Sequence, residues 1–525
     1  MKKIKSYYIV FLPALLIFVS CKKDFFELNP TSQLSPSSFW QTEKDATAAL
    51  NACYAVLSDV NEEVMPYLDV ITPNAYGNYP WEGWQGISKS SLTPQIGDNY
   101  GVTYIWQGGY KGIGRTNTLL ANISKPKMDD NLRSRIKGEA LFLRAYFYFN
   151  IANYFGGAPL ILDPPDLSQA KSPRNTKAEV ITQVLKDLDE AVAASLPDSY
   201  TGSNIGRVTK GAVLALKTRV LLYEKKWAET AAVAKNIIDN KAQYGYDLFP
   251  SYRELFLPQN ENNQEVIFDV QYKSPDNPTN WDLYIGISDG AITPGWSSIE
   301  PTTDFVDDYE MKDGSTWSTA NPVADPENKY NNRDPRLDQT VFRKGRMYNG
   351  VPYPVDANGW PGLFTGFSFK KYTVYDESTN LNVGEGQSGI NGIILRYADV
   401  LLMYAEAQNE GTGPDASVFS AVNAVRTRAG MPNLPTGLSQ AQMRDRIRHE
   451  RRIEFVLEGL YYSDVRRWNI ADEVLNRDII LNGGSSPGKG DVDDRTFDAS
   501  KNYLWPIPQR EIDNSQKALE QNPNY

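Results

Sequence analysis

Glu450 and Glu454 lie four residues apart in a stretch of helical character, which sets their Cβ atoms about 5–6 Å from one another. Retaining glycoside hydrolases place two carboxyl groups roughly 5–5.5 Å apart, so the pair invites a catalytic reading. The local charge argues against it. Arg446, Arg448, Arg451, Arg452, Arg466 and Arg467 crowd the same stretch. Nearby cations lower carboxylate pKa values, whereas a general acid needs one raised. The spacing therefore predicts an ion-pair network. His449, beside the pair, is the only imidazole in the chain; with no second His and no Gly-x-Ser-x-Gly context it completes neither a zinc site nor a triad. Gly490-Asp491-Val492-Asp493-Asp494 offers oxygens to calcium, but Asn502 stands where an EF-hand loop would end in Glu, so a solvated acidic turn is expected. These residues predict no metal, no cofactor and no enzyme.

Chemistry by contact is better represented. The chain has 31 Tyr, 20 Phe and 11 Trp against one His and two Cys. The stretch Asn74-Ala75-Tyr76-Gly77-Asn78-Tyr79-Pro80-Trp81-Glu82-Gly83-Trp84 interleaves flat rings with amides and glycines. A sugar ring presents an apolar C–H face and an equatorial belt of hydroxyls, and an aromatic platform flanked by polar groups matches both. Rigid rings also give contact area at low entropic cost. Tyr76, Asn78, Tyr79, Trp81 and Trp84 are the first candidates for ligand contact; Trp281, Trp296 and Trp317, in a second loop-rich stretch, are the next. A formal charge of −10 argues against nucleic acid, which is held by clustered Lys and Arg.

Helices must position these loops. Gly138 to Pro159 is apolar or aromatic almost all the way round a helix and stops at Gly156, Gly157 and Pro159, so other helices must wrap it. A helix is predicted from about Thr42 to Asp59, and loops from Tyr67 to Trp106. The helical stack is predicted to begin near Leu132. A capping box at Thr176-Lys177-Ala178-Glu179 opens the next helix. Val213, Leu216, Val220 and Tyr223 stripe a third, and Trp227, Ala231, Ala234 and Ile238 a fourth. Large residues facing Ala across a pair are how tetratricopeptide (TPR) units nest. Val266, Phe268, Val270 and Tyr272 alternate as a strand, and residues 273–387 read as loops. Helices resume at Ile394, continue from Asp415 to Arg428, and end in a pair opened by the capping box at Ser439-Gln440-Ala441-Gln442. The expected fold is mainly α: TPR-like helix pairs in a right-handed superhelical stack, with long loop-rich insertions and few short strands.

The N-terminus reads as a secretory signal: Lys2, Lys3 and Lys5, then an apolar run from Ile9 to Val19. Phe18-Val19-Ser20-Cys21 resembles a bacterial lipobox, which makes residues 1–20 a signal peptide, Cys21 the lipidated residue and 21–41 a tether. Acyl chains anchor a protein to a membrane without a span. Cys53 then has no partner for an internal disulfide and is expected in the core.

Three sets of residues carry a family resemblance. They are Leu395-Arg396-Tyr397-Ala398-Asp399 through Ala407, Val422-Asn423-Ala424-Val425-Arg426-Thr427-Arg428-Ala429-Gly430, and Glu450-Arg451-Arg452-Ile453-Glu454-Phe455 with Glu458-Gly459-Leu460. Together with Leu141 to Tyr146, Asp334-Pro335-Arg336-Leu337 and the terminal Gln521-Asn522-Pro523-Asn524-Tyr525, they resemble the SusD/RagB family. These are nutrient-binding lipoproteins of the Bacteroidetes outer membrane that serve TonB-dependent transporters. Tyr461 stands where that family often has Arg. The resemblance implies a SusD-like globular unit over 42–525, with an N-terminal part of about 42–245 and a C-terminal part of about 265–525. It also implies a lipid-anchored, outward-facing protein that passes an oligosaccharide or polysaccharide to a SusC-like barrel. Peptide capture on the same scaffold is the alternative; a surface glycoside hydrolase is a more distant one.

Overall fold

The computed structural model describes residues 39–95, 101–289, 293–325, 327–353, 364–481 and 492–525. The expectations for residues 1–38, including the lipidation of Cys21, lie outside them, as do Gly490 and Asp491. Helix α1 (Glu43–Asn61) opens on a reciprocal capping box between Thr42 and Asp45, and Cys53 is buried on its inner face, its thiol pushed up to about 12 by burial. Helix α2 (Gly109–Asn122), preceded by a π-helical turn at Tyr104–Gly108, occupies a stretch with too many glycines to read as helical. Packing explains the glycines: a Cβ on Gly112 would meet the Phe147 ring at 2.3 Å, and one on Gly108 would meet Val60 at 2.2 Å. The helical stack thus begins well before Leu132.

Helix α3 (Asp130–Phe155) is the central element, capped by the Asp129 side chain and buried around most of its circumference. It packs between α2 and α4 (Lys177–Val192), whose capping box at Thr176 forms as the spacing predicts. Arg144 of α3 holds Asp187 of α4 through two hydrogen bonds of 2.7 Å. Helices α5 (Lys210–Tyr223) and α6 (Trp227–Asp239) form the next pair. Helix α7 (Tyr397–Thr412) packs directly against α6, so the late helices continue the stack begun by the early ones. Helices α8 (Ala416–Arg428), α9 (Gln440–Glu454, with the Ser439 capping box in place) and α10 (Tyr461–Arg467) complete it. The fold is mainly helical with few short strands, as expected.

Two strand pairs tie the insertions to the stack. Strand β2 (Val266–Val270) pairs antiparallel with β4 (Gly392–Arg396), a buried run that the apolar pattern had merged into the following helix. Strand β1 (Ala75–Gly77) pairs antiparallel with β3 (Ile299–Pro301), setting Tyr76 opposite Glu300. That second pairing joins the two loop-rich stretches, more than 200 residues apart, into one surface feature.

Candidate functional site

The carboxylate pair on α9 is fully buried and locked in arginines. Arg336 donates to Glu450 at 2.6 Å, to Glu454 at 2.9 Å and to Asp334 at 2.7 Å. Arg426 adds a contact to Glu450 at 3.0 Å. Arg396 reaches Glu454, Glu265 and Glu458, each at 2.7 Å, and Arg428 pairs with Glu454 and Glu265. Burial by itself would raise the Glu454 pKa, but the guanidiniums of Arg428, Arg396 and Arg336 bring it down to about 2; Glu450 is lowered in the same way. A general acid needs the reverse. The ion-pair network is present, but its cations differ from those adjacent in sequence. Arg451 serves Asp399 and Asp464, Arg467 serves Glu406, Arg446 pairs with Glu310, and Arg448 lies over Trp468. His Nε2 of residue 449 sits 2.9 Å from the Asp308 carbonyl. Asp493, expected in a solvated turn, is instead buried and held by Arg495 at 2.9 Å. Among the described residues no group of three His, Cys, Asp or Glu side chains is arranged to hold a metal ion.

The scaffold reaches the aromatic loop through Arg452 of α9, which donates to Asn74 Oδ1 at 2.8 Å, while Asn74 Nδ2 donates to Asp69 at 2.7 Å. After β1, Tyr79 is extended and Pro80–Glu82 forms a 3₁₀ turn closed by Gly83 at φ 82°. This turn lifts Trp81 to 67% exposure and stacks it on Tyr79, with ring centroids 4.6 Å apart and planes 20° from parallel. The Tyr79 hydroxyl donates to the Trp296 carbonyl at 2.7 Å, fixing the first loop to the second. Trp296 is itself 37% exposed and its ring lies 5.5 Å from that of Tyr284. The result is a shelf of Tyr79, Trp81 and Trp296 built by both insertions.

Polar groups rim the shelf. Tyr284 donates to Glu63 at 2.7 Å, and Tyr67 donates to Glu82 at 3.0 Å. Burial raises Glu82 to about 7, helped by the charge of Glu63 and opposed by hydrogen bonds from Ser298 and Tyr67. Burial likewise raises Glu62 to about 7 against the Asn280 N–H bond. Beneath, Glu300 is pushed up to about 8 by burial, although the N–H of Thr365 and the amide of Asn78 donate to it. No local sequence pattern singles out Tyr67, Tyr284, Glu62 or Glu63. Only Glu82, embedded in the aromatic motif itself, carried a local signal.

The other candidates lie elsewhere. Trp84 is 4% exposed, stacked against Tyr67 with Trp505 beyond it, so its faces belong to the core. Trp281 is completely buried against Tyr272 and Tyr372, its indole N–H donating to the Glu62 carbonyl at 3.1 Å. Tyr76 is buried in β1 against Phe364. Asn78 is buried too, its amide donating to Glu300 at 2.9 Å and to the Ser297 carbonyl, so it braces the shelf from behind. Trp317 sits on a separate loop beneath Arg333 and Lys329, at 4.9 and 5.5 Å from its ring. A crevice between α1, α3 and α5, walled by Met65, Phe147, Tyr223 and Leu460 among others, shares no lining residue with the shelf.

This architecture defines a class: a TPR-like helical-repeat protein whose insertions, not its helices, carry the exposed aromatic shelf. The chain belongs to the SusD/RagB family. The family model described as "SusD family" matches residues 264–525, and one described as "Starch-binding associating with outer membrane" matches residues 24–222. SusD-like protein P2 of Formosa agariphila is 27% identical over 99% of this chain and all of its own length. A SusD-like protein of Bacteroides ovatus is 25% identical over 94% of this chain and 90% of its own. Among solved structures, a SusD-like carbohydrate-binding protein from Bacteroides fragilis matches with a TM-score of 0.80 and 29% identity, covering 92% of this chain and 99% of that one. A laminarin-binding SusD-like protein matches with a TM-score of 0.72 and 27% identity, covering 93% and 100%. No helix among the described residues is long and apolar enough to cross a membrane.

Proposed function

We propose that this protein is a glycan-capturing lipoprotein of the outer membrane, anchored through Cys21 and facing the cell exterior. It takes up oligosaccharide or polysaccharide fragments and delivers them to a SusC-like TonB-dependent transporter. The shelf of Tyr79, Trp81 and Trp296 carries this reading. Exposed indoles are costly to leave in water, and two of them here are oriented by a tyrosine that stacks on one and bonds to the backbone of the other. The partly exposed carboxylates of Glu62, Glu63 and Glu82 supply acceptors for sugar hydroxyls. Support also comes from the relatives described as carbohydrate-binding and laminarin-binding at 29% and 27% identity. Capture requires no chemistry, and tethering beside a pore makes modest affinity sufficient.

Affinity electrophoresis through gels containing laminarin, starch and other polysaccharides tests the proposal, with Trp81→Ala and Trp296→Ala beside the parent protein. The expected result is retardation of the parent by at least one glycan and its loss in both variants. Absence of retardation on every glycan, or equal retardation of all three proteins, would overturn it. Co-purification from detergent-solubilised outer membranes tests the partner: a TonB-dependent barrel should accompany the protein.

A further inference from the structure

Cations lie over some of the molecule's aromatic rings: Arg333 and Lys329 over Trp317, Arg452 over Tyr461, Arg467 over Trp468, Arg343 over Tyr330. Among the described residues none lies over Tyr79, Trp81, Tyr284 or Trp296, and the charged side chains that hydrogen-bond within the rim are acidic. Glu63 accepts from Tyr284, whose ring lies against Trp296; Glu82 directly follows Trp81 and accepts from Tyr67; Glu62 accepts from the Asn280 N–H at 2.8 Å. All three glutamates are partly exposed, unlike Glu300 beneath them. Of the cations near this region, Lys89 and Arg495 are paired with the buried Asp493, and Arg452 with Asp308.

Resting on the glycan-binding reading above, we propose that the shelf selects uncharged glycans and rejects those bearing carboxylate or sulfate groups. Hydroxyls of a neutral sugar stacked on Trp81 or Trp296 can donate to the rim carboxylates. An anionic substituent there meets like charge, and among the described residues no arginine or lysine pairs with Glu62, Glu63 or Glu82 or lies over the shelf rings to neutralise it. The repulsion acts across a partly wet surface, so it is of modest size for each carboxylate and falls with added salt. Glu62 and Glu82 ionise only near neutrality, being raised to about 7 by burial. The groups facing Glu82 are Tyr67, Ser298 and Glu63, and those facing Glu62 are Asn280 and Glu63; none is cationic. The discrimination is therefore strongest somewhat above neutral pH.

The test uses laminarin and starch, each beside the same polymer oxidised at C6 to the uronate, in affinity gels and calorimetry at about pH 8 and low salt. The expected result is binding of a neutral polymer with at least about tenfold weaker binding of its oxidised form, a ratio that shrinks severalfold at high salt. In the double variant Glu63→Gln, Glu82→Gln the ratio also shrinks, because the amides keep the tyrosine hydrogen bonds and lose the charge. Circular dichroism confirms that the variant is folded. Equal binding of neutral and oxidised polymer, preference for the oxidised one, or a ratio unmoved in the double variant would overturn charge selection while leaving glycan binding standing. Failure of every polymer, neutral or oxidised, removes the glycan-binding reading and this inference with it.

Discussion

Replacing Arg336 by Met takes out the guanidinium that touches three carboxylates at once, Asp334, Glu450 and Glu454, all at essentially zero exposure. Glu450 keeps Arg426, and Glu454 keeps Arg396 and Arg428, but Asp334 loses its ion pair and keeps only the backbone N–H of residue 336. Removing one side of a buried ion pair costs about 3–5 kcal/mol, because the other side stays desolvated. With an unfolding entropy of about 2.1 cal/mol/K per residue over roughly 500 residues, 1 kcal/mol moves the midpoint by only about 1 °C if the chain melts as one unit. The expected loss is thus about 3–5 °C, read by differential scanning fluorimetry at neutral pH. Acid provides the internal control. Glu454 is held at about 2 against an ordinary value of 4.5, so its contribution is complete above pH 4.5 and is lost as pH falls through 2. In Arg336→Met the folded pKa moves back toward 4.5, so the gap between wild type and variant narrows as pH falls from 4.5 toward 2. A midpoint within about 1 °C of wild type at neutral pH, or a gap that does not narrow in acid, would refute the reasoning. Arg336→Lys, which keeps the charge and loses the planar fork, should fall between the two.

Trp81→Ala should abolish glycan retardation with little change in melting temperature, whereas Trp84→Ala should cost about 3–5 kcal/mol of stability through its cavity; a binding assay and a melt on each variant separate the two indoles. Glu62, Glu82 and Glu261 are raised to about 7 and Glu300 to about 8, above their ordinary 4.5. Such groups favour the folded state below pH 4.5 and withdraw that stability as pH rises through 7 and 8. Combined with the opposite slope from Glu454, this places the stability maximum in mildly acidic buffer, and a midpoint still climbing at about pH 8 would contradict it. Cys53, buried and pushed up to about 12, should resist alkylation in the native protein and react promptly in denaturant, as peptide mapping would show.

Much of the scaffold was legible because capping is local. Thr176 and Ser439 announce their helices through side chains three residues away, and both boxes form. Helix α2 was hidden because its glycines answer to Phe147 and Val60, contacts that no local pattern contains. Strand β4 was absorbed into α7 because a fully buried strand and a buried helix share the same apolar run. The carboxylate pair was rightly read as ionic, yet its arginines come from residues 336, 396, 426 and 428 and not from the neighbouring sequence. The rings were the hardest part. Trp81 and Trp84 stand three residues apart in the same composition, and only the turn at Gly83 sends one outward and the other into the core.

The buried ion network also constrains the order in which the chain can become itself. Synthesis proceeds from the N-terminus, so Arg336, Lys371, Arg396, Arg426 and Arg428 all emerge before Glu450, Glu454 and Glu458, the carboxylates on which they converge. Asp334, Glu265 and Glu310 are made in time to meet Arg336, Arg396, Arg428 and Arg426, but the remaining carboxylates are still to come, and a half-satisfied arginine is costly to desolvate. Helices α3 and α4 have no such debt, since Arg144 and Asp187 are both in hand by then, whereas Arg219 of α5 waits for Asp399. The network therefore cannot be completed until residue 458 has been made. A chain delivered vectorially across a membrane would close this network only when translocation is nearly complete, a timing set by the placement of charge along the sequence.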